Sequence, residues 1–143
     1  MYTVEHIGIA VRSLAESDPL FQRLLGQPPY KHEEISEQRV ITSFFKTGTA
    51  KIELLEPTDP SSTIQKFIDG KGEGIHHIAF EVPDIRVEMQ RLREEGFDLL
   101  QDEPTRGADN KWVCFIHPKS ANGVLVELCQ SIDDMIPMQD VDA

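Results

Sequence analysis

Four residues have the types and spacing to do chemistry together. His6 opens the apolar run HIGIAV and His77 opens HIAFEV, while Glu53 lies inside KIELLEP and Glu127 inside VLVELCQ. Glu53 stands between Ile52 and Leu54, and Glu127 between Val126 and Leu128. A carboxylate in such surroundings is costly to bury without a partner. Two imidazoles and two carboxylates make a mixed nitrogen and oxygen donor set. It suits a divalent ion such as Zn, Mn, Co, Ni or Fe, with room left for further ligands. The chemistry expected of these residues is coordination of one such cation, with His6, Glu53, His77 and Glu127 as its metal ligands.

The elements that must position them repeat. EHIGIAVRSL laid over HHIAFEVPDI matches His6 with His77, Ile7 with Ile78 and Val11 with Val82, an offset of 71 residues. Each segment is followed by a helical pattern stopped by glycine, at Gly26 and Gly96. Glu53 then corresponds to Glu127 at nearly the same offset, 74. A fixed internal period argues for a duplicated unit. The chain reads as two copies of strand–helix–strand–strand–strand, at 1–57 and 74–130, joined by a linker at 58–73. Within the linker, Thr63 to Ile68 predicts a short helix. The middle strands are expected at YKHEEI and VITSFFK in the first copy, and at FDLLQ and WVCFIH in the second. Leu20, Phe21, Leu24 and Leu25 have helical spacing, as do Ile85, Met89 and Leu92.

Side chains alternate along a strand, so His6 shares a face with the small residues Gly8 and Ala10, and His77 with Ala79 and Glu81. The opposite faces carry Ile7, Ile9 and Val11, then Ile78, Phe80 and Val82. One face is expected to pack on a helix and the other to line a cavity. By the same parity His76, whose counterpart is Glu5, is expected to be a surface or packing residue, and His32 and His117 are read as structural.

The chain has 143 residues, enough for one domain with a real core, here 1–130. A net charge of −11 argues against a nucleic-acid partner, which would need a basic surface. No apolar run reaches the roughly 18 residues of a membrane span, so no membrane association is expected. Cys114 and Cys129 have no metal or redox spacing, and a cytoplasmic protein with reduced thiols is expected. The acidic stretch 131–143 is expected to be a C-terminal tail.

EHIGIAV, GTAKIELLEP, GEGIHHIAFEV, the Gly-Ala of RGADNKWVCFIHPK and HPKSANGVLVEL together carry a resemblance. The chain resembles the vicinal oxygen chelate (glyoxalase, bleomycin resistance and dioxygenase) superfamily and, within it, is similar to the methylmalonyl-CoA epimerases. The likeness spans residues 4 to 130. It implies an α+β fold of two tandem βαβββ modules forming a cupped mixed β-sheet with helices outside. It also implies a divalent metal held at His6, Glu53, His77 and Glu127, and a small-molecule acyl-CoA substrate. Some members carry glutamine at the position of Glu53. The extra charge here would bind the ion more firmly and make it a weaker Lewis acid.

The resemblance further implies that the α-proton of a methylmalonyl thioester is removed and returned on the opposite face, with Glu127 as one catalytic group. Some relatives place a second glutamate on the strand after a PEQG-like turn, where this chain has Thr42, and the turn's glycine is Arg39. Glu37 is the substitute catalytic candidate. Lys119, Arg39 and Thr42 are the candidate substrate-binding residues, and Lys46, Arg106 and Lys111 are further cations for an anionic coenzyme A. A homodimer is expected. Two competing activities remain open: a glyoxalase I type lactoylglutathione lyase and a metal-free small-molecule binding protein. An extradiol dioxygenase would leave Glu53 without a purpose.

Overall fold

In the computed structural model, which describes residues 1–132, the predicted element order recurs twice. The first copy runs β1 (Thr3–Ala10), α1 (Leu14–Leu25), β2 (Lys31–Ile35), β3 (Val40–Lys46) and β4 (Lys51–Pro57). A connecting helix, α2 (Thr63–Lys71), follows. The second copy runs β5 (Gly74–Glu81), α3 (Ile85–Glu94), β6 (Thr105–Gly107), β7 (Lys111–Ile116), one 3-10 turn (Pro118–Ser120) and β8 (Val126–Ser131). Of the acidic tail expected at 131–143, Ser131 belongs instead to β8, and residues 133–143 lie outside the described ones. Among the described residues, no helix is long and apolar enough to cross a membrane.

Local chemistry sets the helix ends. The Asp84 carboxylate accepts the N–H groups of Arg86 and Val87, and the Ser62 hydroxyl accepts that of Ile64. These are donors that the first helical turn leaves without partners. Gly26, at φ 79°, closes α1 in the left-handed conformation that glycine adopts most readily.

Residues Val4–Ala79 form one compact unit, with strand order β2-β3-β4-β1-β5. β1 runs parallel to β4, with His6 opposite Lys51, Gly8 opposite Glu53 and Ala10 opposite Leu55. β3 runs antiparallel to β4, with Thr42 opposite Leu55 and Phe44 opposite Glu53. Register partners share a face, so His6, Gly8, Lys51, Glu53, Phe44 and Thr42 all point to one side. Ile9, Ile52, Leu54, Phe45 and Ile41 point to the other, where they pack with Phe21 and Leu25 of α1. Parity read from sequence thus anticipates the two faces. The helix departs from expectation at Leu20 and Leu24, which are 51% and 70% exposed. The apolar stripe of α1 is wider than the face turned to the sheet.

Met1–Thr3 and the described residues from Phe80 to Ile132 form the second compact unit. Its strands are ordered β8-β7-β6, with Phe115 opposite Glu127 and Trp112 opposite Gln130. Ile85, Met89 and Leu92 of α3 join Val82, Cys114, Ile116 and Leu128 in one apolar cluster. The Gln130 side chain ties the start of α3 to β8: its Oε1 accepts the Ile85 N–H at 2.8 Å, and its Nε2 donates to the Pro83 carbonyl at 2.9 Å. The expected strand FDLLQ is a correction. Phe97 and Leu99 pack on the cluster, but the segment makes only an isolated bridge, Leu99 to Ile116, and the short strand Thr105–Gly107 pairs with β7 instead. The Gln101 side chain accepts the Phe115 N–H at 2.8 Å, taking the place of a backbone ladder bond.

Candidate active site

β1 and β5 bring the two histidines together. His6 Nε2 lies 3.0 Å from His77 Nε2, with the rings at 87° to each other. Gly8 makes the approach possible. A Cβ on residue 8 would meet the His77 ring, within 2.6 Å of its Nδ1. Only a residue without a side chain fits beneath that imidazole.

The Nε2 spacing bears on a cation. Ligand nitrogens about 2.1 Å from a metal, when they subtend a right angle at it, are about 3.0 Å apart. Both lone pairs can therefore meet one ion without either ring moving far. Glu53, 3% exposed, supplies a carboxylate in the same unit, its Oε2 3.2 Å from His6 Nδ1. The buried donor atoms fit a divalent ion of the kind expected from their chemistry.

The other nitrogen of each histidine is occupied too. Glu5 Oε1 is 2.6 Å from His6 Nδ1, and Glu5 Oε2 is 2.6 Å from Lys51 Nζ. The ammonium also lies 3.8 Å from Glu53 Oε2. Burial pushes the Glu5 carboxyl up, yet the hydrogen bonds from His6 and Lys51, with their charges, outweigh it and hold the group below its usual value. Glu5, His6 and Glu53 offer ligand atoms within 4.8 Å of one another. Lys51 already places a positive charge among those carboxylates. His77 Nδ1 is 3.0 Å from His76 Nδ1, and the His76 ring meets Phe67 edge-on with centroids 5.0 Å apart. His76 is thus the packing residue expected, and also a neighbour of the ligand-type histidine.

Of the four predicted ligands, His6, Glu53 and His77 lie together in the Val4–Ala79 unit. Glu127 stands on β8 of the other unit, 6% exposed, opposite Phe115. Sequence reasoning missed Glu5 and Lys51. Lys51 shares the parity of Glu53, so its direction is readable from the sequence. Glu5 is not, because its long side chain turns back toward a neighbouring residue that points the other way.

Thr42 lies on the same face as Glu53 and His6. It is 1% exposed, and its hydroxyl has no hydrogen-bond partner among the described residues. A buried hydroxyl in that state is unusual and calls for an explanation. Glu37 is different: it sits exposed in the turn before β3, beyond Val40, which pairs with Pro57 rather than with Glu53. The substitute catalytic candidate thus lies in a turn, outside the β3–β4 register that holds Glu53.

The candidate cations divide. Arg39 is exposed at φ 55° and donates to the Ser61 hydroxyl at 2.7 Å. Lys46 lies over the Tyr30 ring and Arg106 over Trp112. Lys119 pairs with Asp98 at 3.1 Å at the surface. Lys111 is not a surface cation: it is 9% exposed and bonded to Glu81 at 3.0 Å and Ser131 at 2.7 Å. Burying a lysine this deep is costly without such partners. His32 pairs with Asp18 at 2.7 Å, and His117 Nδ1 accepts the Lys119 N–H, both structural roles. The two cysteines are free and buried.

The chain is similar to known proteins over most of its length. Residues 5–115 match the family model described as glyoxalase/bleomycin resistance protein/dioxygenase superfamily. The protein YqjC of Bacillus subtilis is 38% identical over 134 residues, which cover 94% of this chain and 96% of that one. The ethylmalonyl-CoA/methylmalonyl-CoA epimerase of Cereibacter sphaeroides is 38% identical over 129 residues, covering 89% of this chain and 96% of the other. A solved structure of a Streptomyces coelicolor methylmalonyl-CoA epimerase variant, in complex with 2-nitronate-propionyl-CoA, superposes with a TM-score of 0.88. It shares 34% identity, over 94% of this chain and 98% of that one.

Proposed function

The chain belongs to the glyoxalase/bleomycin resistance protein/dioxygenase superfamily, and from that premise we propose that it is an isomerase that interconverts the two epimers of methylmalonyl-CoA. Its named relatives and structural neighbours support this reading over a lactoylglutathione lyase. The observation that carries the chemistry is the pair of Nε2 atoms 3.0 Å apart beside a buried glutamate.

On the sequence correspondence between Glu127 and Glu53, the proposed ligand set is His6, Glu53, His77 and Glu127, and the ion is Co, Mn, Zn, Ni or Fe. When bound, a divalent cation supplies Lewis-acid stabilisation of negative charge on substrate oxygens, worth several kcal/mol. The side chains of the protein do the rest. Glu127 takes the α-proton from the carbon between the thioester and the carboxylate, and a proton returned to the opposite face of that carbon completes the epimerisation. The orphan Thr42 hydroxyl donates a hydrogen bond to the substrate, which gives the buried group its missing partner. The burial of His6, Glu53 and His77 keeps water from the histidine cluster, which strengthens each charge interaction. Arg39 and Lys119, both at turns, are proposed to meet the phosphates of coenzyme A. The active protein is proposed to be a homodimer, which sedimentation would test.

The deciding experiment follows α-proton exchange of methylmalonyl-CoA in deuterated water, with and without added Co²⁺ or Mn²⁺. Exchange that depends on the metal and disappears in Glu127→Ala is the expected result. Turnover of a glutathione hemithioacetal in place of the thioester would replace this reading with the lyase. Protein that binds substrate but no metal would replace it with a binding module.

A further inference from the structure

We propose that Glu5 and His76, the residues immediately before the two ligand histidines, are paired positioning residues that fix which ring nitrogen each histidine presents to the cation. This rests on the metal reading above. Glu5 Oε1 sits 2.6 Å from His6 Nδ1, and His76 Nδ1 sits 3.0 Å from His77 Nδ1. Each neighbour therefore faces the nitrogen turned away from the opposite histidine, while the two Nε2 atoms face one another at 3.0 Å. A carboxylate can only accept at this distance, so His6 carries its proton on Nδ1 and leaves a lone pair on Nε2. With Nε2 of His77 also given to the cation, its proton lies on Nδ1 and is donated to the His76 lone pair.

The arrangement is asymmetric in a useful way. Glu5 is anionic and anchored from behind by Lys51, whose Nζ is 2.6 Å from Glu5 Oε2. A carboxylate that accepts the far N–H raises the basicity of the ligating imidazole and locks its orientation. His76 is a neutral acceptor held by its edge-on contact with Phe67. It orients His77 with less electronic push. His6 is accordingly the stronger and more rigid of the two nitrogen ligands. The Lys51 ammonium, 2.6 Å from Glu5 and 3.8 Å from Glu53, marks Glu5 as the carboxylate it holds most closely and Glu53 as the one left for the cation.

The test measures metal affinity and ring tautomer at fixed neutral pH, without reference to turnover. Zinc is titrated against a chelator of known affinity into wild type, Glu5→Ala, Glu5→Gln, His76→Ala and His76→Asn. Glu5→Ala should weaken zinc binding by about 10- to 100-fold, the range found for lost outer-shell partners. Glu5→Gln, which still offers an acceptor oxygen, should recover most of that loss. His76→Ala should cost less than Glu5→Ala, and His76→Asn should again rescue. In the zinc-loaded wild type, nitrogen-15 spectra of labelled histidine should show proton-bearing Nδ1 on both His6 and His77. Glu5→Ala should lose the His6 Nδ1–H signal to solvent exchange. Melting of the metal-free variants separates positioning from folding, and Glu5→Gln keeps the test alive if Glu5→Ala does not fold. Zinc ligated through His6 Nδ1, or equal zinc affinity in wild type and Glu5→Ala, overturns the proposal and leaves the epimerase reading standing. A wild-type protein that binds no divalent ion at all removes both.

Discussion

The two compact units bury their polar groups for different ends. In Val4–Ala79, Glu5, His6, Lys51, Glu53 and His77 form one connected set of titratable side chains, each in contact with at least one other. In the unit from Phe80 onward, the buried polar residues other than Glu127 serve as staples. Lys111 joins β7 to Glu81 and Ser131, and Gln130 holds the backbone at the start of α3. One compact unit therefore holds a reactive cluster, to which the second βαβββ copy contributes His77, and the other holds a braced apolar core. Confined charges oppose folding unless well paired, and active sites are commonly less stable than the scaffold around them. Changes in the cluster should alter chemistry more than stability, and changes in the core should do the reverse.

Glu127 is the sharpest probe, because it is the residue of the braced unit assigned to chemistry. Glu127→Ala should lower α-proton exchange by about 10²- to 10⁴-fold, the usual worth of a positioned base. Urea unfolding should change little. A large drop in stability with modest loss of exchange would place Glu127 among the staples. Next comes Met89→Ala, at a side chain 2% exposed in the apolar cluster. It should lose about 2–5 kcal/mol in urea unfolding while zinc affinity stays at the wild-type value. If zinc affinity falls with stability, the division of labour between the units fails. Gln130→Leu should cost about 1–3 kcal/mol, because it leaves the Ile85 N–H and the Pro83 carbonyl without their partner.

The smallest effect concerns acid. The Tyr2 hydroxyl donates to Glu88 Oε1 at 2.6 Å, and this hydrogen bond outweighs partial burial to hold the Glu88 carboxyl below its usual 4.5. A lowered carboxylate stabilises the folded state above the usual value, and that contribution disappears as pH falls through the lowered one. Tyr2→Phe should therefore be less stable than wild type near neutrality, and the gap should close as acid protonates the Glu88 carboxyl. A gap that persists into acid would assign the effect to Tyr2 packing on Phe80, whose ring centroid lies 5.9 Å away.

Much of this is legible before any coordinates. β3 and β4 fall where β-branched and aromatic runs place them, and the helices stop where glycine or its neighbour ends the periodic pattern. The duplication picks out His6, Glu53, His77 and Glu127 because a repeat offset needs no knowledge of side-chain conformation. Parity even gives the sheet face of Thr42 and Lys51. The failures share a cause. Alternation fixes the direction of a Cβ, not the reach of a long side chain, so Glu5 is assigned away from the histidine it touches. Apolar content marks burial, not pairing, so Phe97 and Leu99 read as strand when they are irregular core. Thr105–Gly107 carries little strand propensity and owes its pairing to β7. Glu37 stands out for its acidity, and only β3–β4 register could show that its turn lies past the Pro57 end of the strand pair.

Gly8 has the widest consequence for how mutational data on this protein would look. In a deep mutational scan selected for turnover it should be among the least tolerant positions, although it binds no ligand and contributes no packing. In the same library sorted for soluble expression, that intolerance should fade, since a methyl group there evicts one imidazole rather than unravelling a strand. The contrast between the two maps would mark the floor of the cation cradle with no metal present at all.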